Sequence, residues 1–187
     1  MDLLHILIPI HAVAASFVIL LGPVNFLRRR KDAAHRFLGR TFAVMMYFVC
    51  VSGLFIYEGG GFTVFHGLAI FTLITTTLGI RAIMRGDVKA HRGNMIGSWA
   101  GTVAAGTFAA LVPGRAIPTL AVDDPTLFWA IVAAIIAAAT LWVLAVLSPQ
   151  GRRFLHGRAR ARAARKRTAS ASASASGSAE VAAAPGQ

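Results

Sequence analysis

Five stretches of about 20 predominantly apolar residues dominate this chain, and each is long enough to cross a hydrocarbon layer roughly 30 Å thick as a helix. They run over residues 3–27, 41–57, 62–80, 95–112 and 126–147. Only 14% of the residues are charged, against about a quarter in an ordinary soluble domain, and 56% are hydrophobic. The expectation is an all-α integral membrane bundle of five transmembrane helices occupying residues 1–150. Residues 151–187, basic and then Ala/Ser-rich, form a cytoplasmic tail. Beyond Arg167 this tail has little apolar surface to bury and is expected to be disordered.

The first run differs from a cleaved secretory signal. Only Asp2 stands before it where a positive segment belongs, and Arg28-Arg29-Arg30-Lys31 follows it, so it reads as a retained first span.

The cations are distributed unevenly. Arg28, Arg29, Arg30, Lys31, Arg36 and Arg40 lie between spans one and two, and Arg81, Arg85, Lys89 and Arg92 around the connection from three to four. The stretch from Arg152 to Arg167 follows span five, and Arg115 stands alone on the other side. Lys and Arg are retained on the cytoplasmic side, so the pattern predicts an N-terminus outside and a C-terminus inside. The same rule accounts for the net charge of +12 without nucleic acid. The basic tail sits where anionic lipid head groups are the nearest partners.

Smaller signals complete the outline. Glu58-Gly59-Gly60-Gly61 predicts a tight outer reversal, and the outer segment from Pro113 to Asp124 reads as a loop. Asp124-Pro125 matches an N-cap followed by a first helical residue. Gly93, Gly97 and Gly101 recur every fourth residue and predict a close packing seam on span four. Span five carries Trp129 and Trp142 towards its ends, in keeping with interfacial belts, and reads as an addition to a core of two hairpins. Cys50, the one cysteine, reads as a small buried hydrophobe.

The feature that points to a chemistry is a repeat of histidines. His11 precedes Ala34-His35-Arg36 by roughly 24 residues, and His66 precedes Ala90-His91-Arg92 by roughly 25. Asp32 and Asp87 each stand shortly before the second histidine. This is the pattern of a duplicated helical hairpin. At about 1.5 Å per residue, His11 and His66 fall near the outer face on spans one and three. His35 and His91 fall near the inner face on spans two and four, about 25 Å away. Facing imidazoles at two depths suit the two axial positions of haem iron, and four-helix bundles supply such pairs. Arg36 and Arg92 match the carboxylate geometry of haem propionates, and Gly39, Gly67 and Gly97 leave room for a flat macrocycle.

The plainer alternative is a membrane protein without a cofactor, in an assembly, lipid-binding or structural role. Its inner histidines would cap helices and meet lipid phosphate, and His11 would bond a backbone carbonyl or a threonine. His5 and His156 read as surface residues, His5 replacing His11 if the first span starts later. The acidic residues fall outside the spans, which argues against a cation pump, and neither a Ser-His-Asp grouping nor His-Glu-x-x-His occurs.

Through His11, His35-Arg36-Phe37-Leu38-Gly39-Arg40, His66 and His91-Arg92, residues 5 to 110 resemble a family of small bacterial multi-pass proteins described as a predicted membrane domain of unknown function. The second copy departs from the first, with Gly93-Asn94-Met95 after Arg92 and no counterpart of Arg40. The resemblance implies a bacterial inner-membrane protein of this architecture. In layout alone, the two histidine tiers are also similar to those of b-type cytochromes. The functional expectation is therefore haem b binding and transmembrane electron transfer. His11 with His66 and His35 with His91 would be the iron ligands, and a quinone or a separate redox protein the partner.

Overall fold

The computed structural model describes residues 3–56 and 61–182, with the side chains of Leu3, His5, Lys166 and residues 169–182 left aside. The glycine reversal expected at 58–61 lies outside the described residues except for Gly61, and the side chain of His5 is likewise outside them. The described chain is helical: α1 (Leu3–Leu27), α2 (Ala33–Leu54), α3 (Val64–Met84), α4 (Val88–Leu111), α5 (Ala116–Asp123), α6 (Pro125–Leu147) and α7 (Pro149–Ala182).

Helices α1 to α4 form a four-membered ring in which α1 packs on α2 and α4, and α3 on α2 and α4. No close backbone approach joins α1 to α3 or α2 to α4, so these are the diagonals of the bundle. Connections 28–32 and 85–87 lie at one end, here the basic end. The connections after α2 and α4 lie at the opposite end. Helix α6 packs outside the ring against α1 and α2, and α5 bridges α4 to α6. Helix α7 turns back against α2 and α6 at the basic end.

Four helices are individually long and apolar enough to cross a membrane: α1 from Ile6, α2, α3 and α6. The expected fourth span reaches that standard only together with α5, from which it is bent by 46°. Lys89, Arg92, Asn94 and Ser98 dilute its apolar character. The outer segment expected as a loop therefore contains a helix.

Two starts are earlier than expected. Helix α2 begins at Ala33 rather than Thr41, because the Asp32 carboxylate accepts the His35 backbone N–H at 3.1 Å and caps the helix. Helix α4 begins at Val88 rather than Met95, because Asp87 accepts from the Ala90 N–H at 2.9 Å. The basic residues that looked like loop are thus the first turns of helices. Asp124 caps α6 through the Leu127 N–H at 2.9 Å, with Pro125 beginning the helix as expected. Helix α7 is drawn through to Ala182. Its alternating Arg and Ala are strong helix formers, and a helix once begun propagates readily into Ala/Ser repeats.

Much of the buried apolar core lies on α1 and α2. Val18, Leu21, Leu38, Phe42 and Met46 are fully enclosed there, joined by Met95 and Val146. Helix α1 contains Pro23, which has no N–H to offer the Ile19 carbonyl one turn earlier. The Trp99 indole N–H of α4 donates to that carbonyl at 3.0 Å. Gly22 makes the approach possible, since a Cβ there would stand 2.3 Å from Trp99 Cδ1. This restores a backbone hydrogen bond that lipid could not supply.

The glycine seam of α4 is narrower than its sequence spacing suggested. Gly101 packs closely on α3, where an added Cβ would lie 2.8 Å from Thr72 Oγ1, and Gly79 of α3 meets Met95 in the same way. A Cβ at Gly93 or Gly97 would meet nothing within 4 Å.

Candidate functional site

Helix geometry sets the four histidines at two levels. His35 and His91 each sit in the first turn of a helix, on α2 and α4, at the basic end. His11 bonds to Ser52 in the last turn of α2, and His66 lies in the first turn of α3, so both belong to the opposite end. Each pair therefore comes from helices on a diagonal of the bundle, as a ligand held between facing imidazoles requires.

His35 and His91 share the basic end, each in the first turn of its helix, and Asp32 and Arg28 stand at the entrance to α2 beside His35. His91 Nδ1 lies 2.8 Å from the Gly79 carbonyl oxygen, which can only accept, so Nδ1 carries the proton and Nε2 keeps its lone pair. That arrangement, one ring N–H held by a carbonyl, orients a metal-ligating imidazole and fixes its tautomer. The Nδ1 atom of His35 is buried without a hydrogen-bond partner, as are Asn25 Oδ1 and Thr76 Oγ1. Asn25 comes from α1 and packs against Gly39, one turn beyond His35. Gly39 is therefore filled by a side chain rather than open. Arg36 and Arg92 are exposed at this end beside their histidines.

Asp32 holds the entrance to α2 in place. Its carboxylate bonds Arg28 at 2.8 Å as well as the His35 N–H. Partial burial pushes its carboxyl pKa up. The Arg28 hydrogen bond and charge and the His35 and Ala34 backbone N–H groups outweigh this, leaving it below the usual carboxylate range.

The other pair is not equivalent. Ser52 spends its one hydroxyl proton on the Phe48 carbonyl at 2.6 Å, so its oxygen accepts from His11 Nδ1 at 2.8 Å. His11 therefore keeps its lone pair on Nε2. His66 is the reverse: its Nδ1 accepts the Thr63 backbone N–H at 3.1 Å, which places the proton of the neutral ring on Nε2. His66 is 2% exposed, stacks near the Phe62 ring and works as an N-terminal cap for α3. Gly67 beside it is open, with nothing within 4 Å of a Cβ.

His11 instead lines a cavity of about 590 Å³ between the six helices α1 to α6. Its walls are mainly apolar, and Arg115 stands at the same end, its guanidinium 4.6 Å from the centre of the Phe65 ring. Thr72 and Thr102 lie towards its deep end, where the Thr102 hydroxyl donates to Met46 Sδ at 3.1 Å across the bundle. His66 is not among the lining residues. The packed Met46 separates this cavity from the level of His35 and His91.

Sequence reading passed over Asn25, Ser52, Thr63, Thr76 and Trp99. Each is polar or amphipathic within or beside an apolar run, which is the available signal. Their partners become visible only with the helices assembled. Among the described residues, no three His, Cys, Asp or Glu side chains converge as a bare metal ion would require. Haem brings its own porphyrin nitrogens and asks the protein only for axial groups.

Residues 8–148 match the model of a family described as predicted membrane protein (DUF2306). No curated protein and no solved structure matches the chain.

Proposed function

For this chain, which belongs to that family of predicted membrane proteins, we propose haem b binding between His35 and His91 at the basic end. The observation that carries the reading is the position of these two imidazoles, in first turns at the same end of helices on a diagonal, with His91 Nδ1–H held by the Gly79 carbonyl and Nε2 left basic. The unpartnered buried atoms of His35, Asn25 and Thr76 support it, since buried polar groups normally find a partner. Arg36 and Arg92, exposed beside their histidines, would supply guanidinium groups for the propionates. Haem, when bound, supplies one-electron transfer. The chain's contribution is to orient His91, exclude lipid and water, and hold anionic propionates beside Arg36 and Arg92.

Placing the basic end in the cytoplasm follows from the positive-inside rule and makes α7 the surface that meets anionic head groups. The second haem between His11 and His66 is not carried into this proposal. As placed, His66 offers an N–H where iron needs a lone pair, and ligation would require breaking its cap on α3.

A second reading has its own observation. Each of three histidines fastens local structure: His11 ties α1 to α2, His91 ties α4 to α3, and His66 caps α3. A membrane protein without a cofactor would use them in this way.

Visible spectra of the purified protein from haem-replete cells separate the two. The haem reading expects a Soret band with sharp α and β bands on dithionite reduction. These should be lost in His35→Ala and His91→Ala and kept in His66→Ala. A colourless protein that takes up no added haem leaves the fastening role standing alone.

A further inference from the structure

The apolar cavity lined by His11 is not used by the haem reading and has the makings of a separate site. At about 590 Å³ it falls within the range of small-molecule sites. It follows α1 from Ile8 to Ile19, a length of about 16 Å at the helical rise. The occupant is therefore elongated, running from one membrane boundary towards the middle of the bilayer. The deep part presents aliphatic and small side chains. The shallow part presents two polar functions of opposite kind.

His11 accepts. Its Nδ1 proton is committed to Ser52, so Nε2 has a lone pair for a ligand O–H. Arg115 donates: a guanidinium carries five N–H groups and no acceptor, and its face rests on Phe65. No carboxylate is among the lining residues. A fatty carboxylate matches Arg115 but sets a second lone pair against His11. A hydrocarbon chain alone matches neither. A hydroquinone matches both, since its hydroxyls donate to the imidazole and its oxygens accept from the guanidinium. An isoprenoid tail fills the apolar length below.

We propose that this cavity binds a lipid-soluble quinol, with the head ring between His11 and Arg115 and the tail directed towards Ile19 and Thr72. The site does not depend on haem: the Met46 layer lies between it and the His35–His91 level. It also gives small residues of α4 on the cavity wall a reason to be small, since Ala105 and Ala109 open the space the ligand needs.

The test is equilibrium binding of decylubiquinol to the full chain in nanodiscs under reducing conditions, with palmitate and tail-free hydroquinone as competitors. Saturable binding of one molecule per chain is expected, weakened at least about tenfold in both His11→Phe and Arg115→Gln. Ala105→Phe, which fills the cavity without touching either polar group, should abolish it. Should a variant fail to give a helical, monodisperse protein, Ala109→Leu serves as the second filling change. The same titration on protein prepared from haem-depleted cells should be unchanged, so loss of haem and loss of quinol are read independently. Palmitate displacing the quinol at equal concentration overturns the proposal in favour of a fatty anion. Non-saturable uptake, or binding that survives both filling variants, overturns it as simple partitioning into lipid.

Discussion

Replacing Trp99 with Phe removes one N–H and leaves an aromatic ring in the slot opposite Gly22. The Ile19 carbonyl would then have neither its helical donor, because residue 23 is proline, nor the indole that replaces it. Leaving a buried acceptor unmade costs about 1–3 kcal/mol in soluble proteins. Interhelical side-chain bonds in bilayers average nearer 0.6 kcal/mol and reach about 1.7, because separated helices find other partners. Here Pro23 removes the helical donor to this carbonyl, so a value near the upper figure, about 1.5 kcal/mol, is expected. Loss of ring area adds to the raw effect, and a double-mutant cycle removes it. Pro23→Ala returns the N–H to Ile19, so Trp99→Phe in that background should cost only its packing. The coupling between positions 23 and 99 should be about 1–1.5 kcal/mol, close to tenfold in the unfolding equilibrium. Unfolding of the reconstituted protein, followed by far-ultraviolet circular dichroism in mixed micelles of rising dodecyl sulfate fraction, measures all four corners. Equal costs of Trp99→Phe with and without Pro23 would refute the reasoning.

Two further predictions concern single positions. Asp32→Ala removes the α2 cap and should destabilise the protein by about 1 kcal/mol, while Asp32→Asn keeps an N-cap oxygen and should cost less. Because folding depresses the Asp32 pKa, the advantage of Asp over Asn is present above the unfolded value of about 3.9 and disappears as pH falls through the lower folded value. Denaturation of both proteins between pH 7 and 3 checks this, and an advantage that grows on acidification contradicts it. Gly101→Ala should cost about 1–3 kcal/mol through overpacking against Thr72, while Gly97→Ala should be neutral, although both glycines belong to one sequence repeat. Comparable losses at the two sites would show that the α3–α4 contact is not where the backbone places it.

Architecture was legible in the sequence because lipid imposes so few solutions. Runs of about 20 apolar residues give the helices directly. Boundaries were less legible, and the reason is visible at Asp32 and Asp87. A polar first turn looks like loop to a hydropathy count, yet a capped carboxylate starts the helix inside that polar stretch. The bend between α4 and α5 was hidden for the complementary reason: a short helix at the membrane boundary needs no long apolar run. The glycine spacing of α4 gave a face but not its neighbour. Which glycine touches another helix depends on the ring arrangement, and only Gly101 of the three meets α3 closely.

The histidine repeat illustrates a sharper limit. Sequence makes the four residues two equal pairs, since spacing and flanking residues recur. Proton placement makes them unequal, and it is set by partners that the repeat does not share. Gly79 gives His91 a carbonyl, and Ser52 gives His11 an oxygen whose own proton is already committed. Thr63 gives His66 a donor instead. An imidazole with its Nδ1 proton bound away can ligate or accept at Nε2, and one whose Nδ1 accepts cannot. The duplicated hairpin thus carries two different ends. At one lies the proposed iron site, where His91 keeps its Nε2 lone pair. At the other, a single accepting imidazole faces an apolar cavity, while its sequence partner is occupied in beginning a helix. Changing Thr63 to Pro would test that division directly, because it removes the N–H that His66 accepts. If this proton placement governs the difference, His66 in that variant becomes free to adopt the Nδ1–H form, and nitrogen-15 imidazole shifts will report it while those of His91 stay fixed.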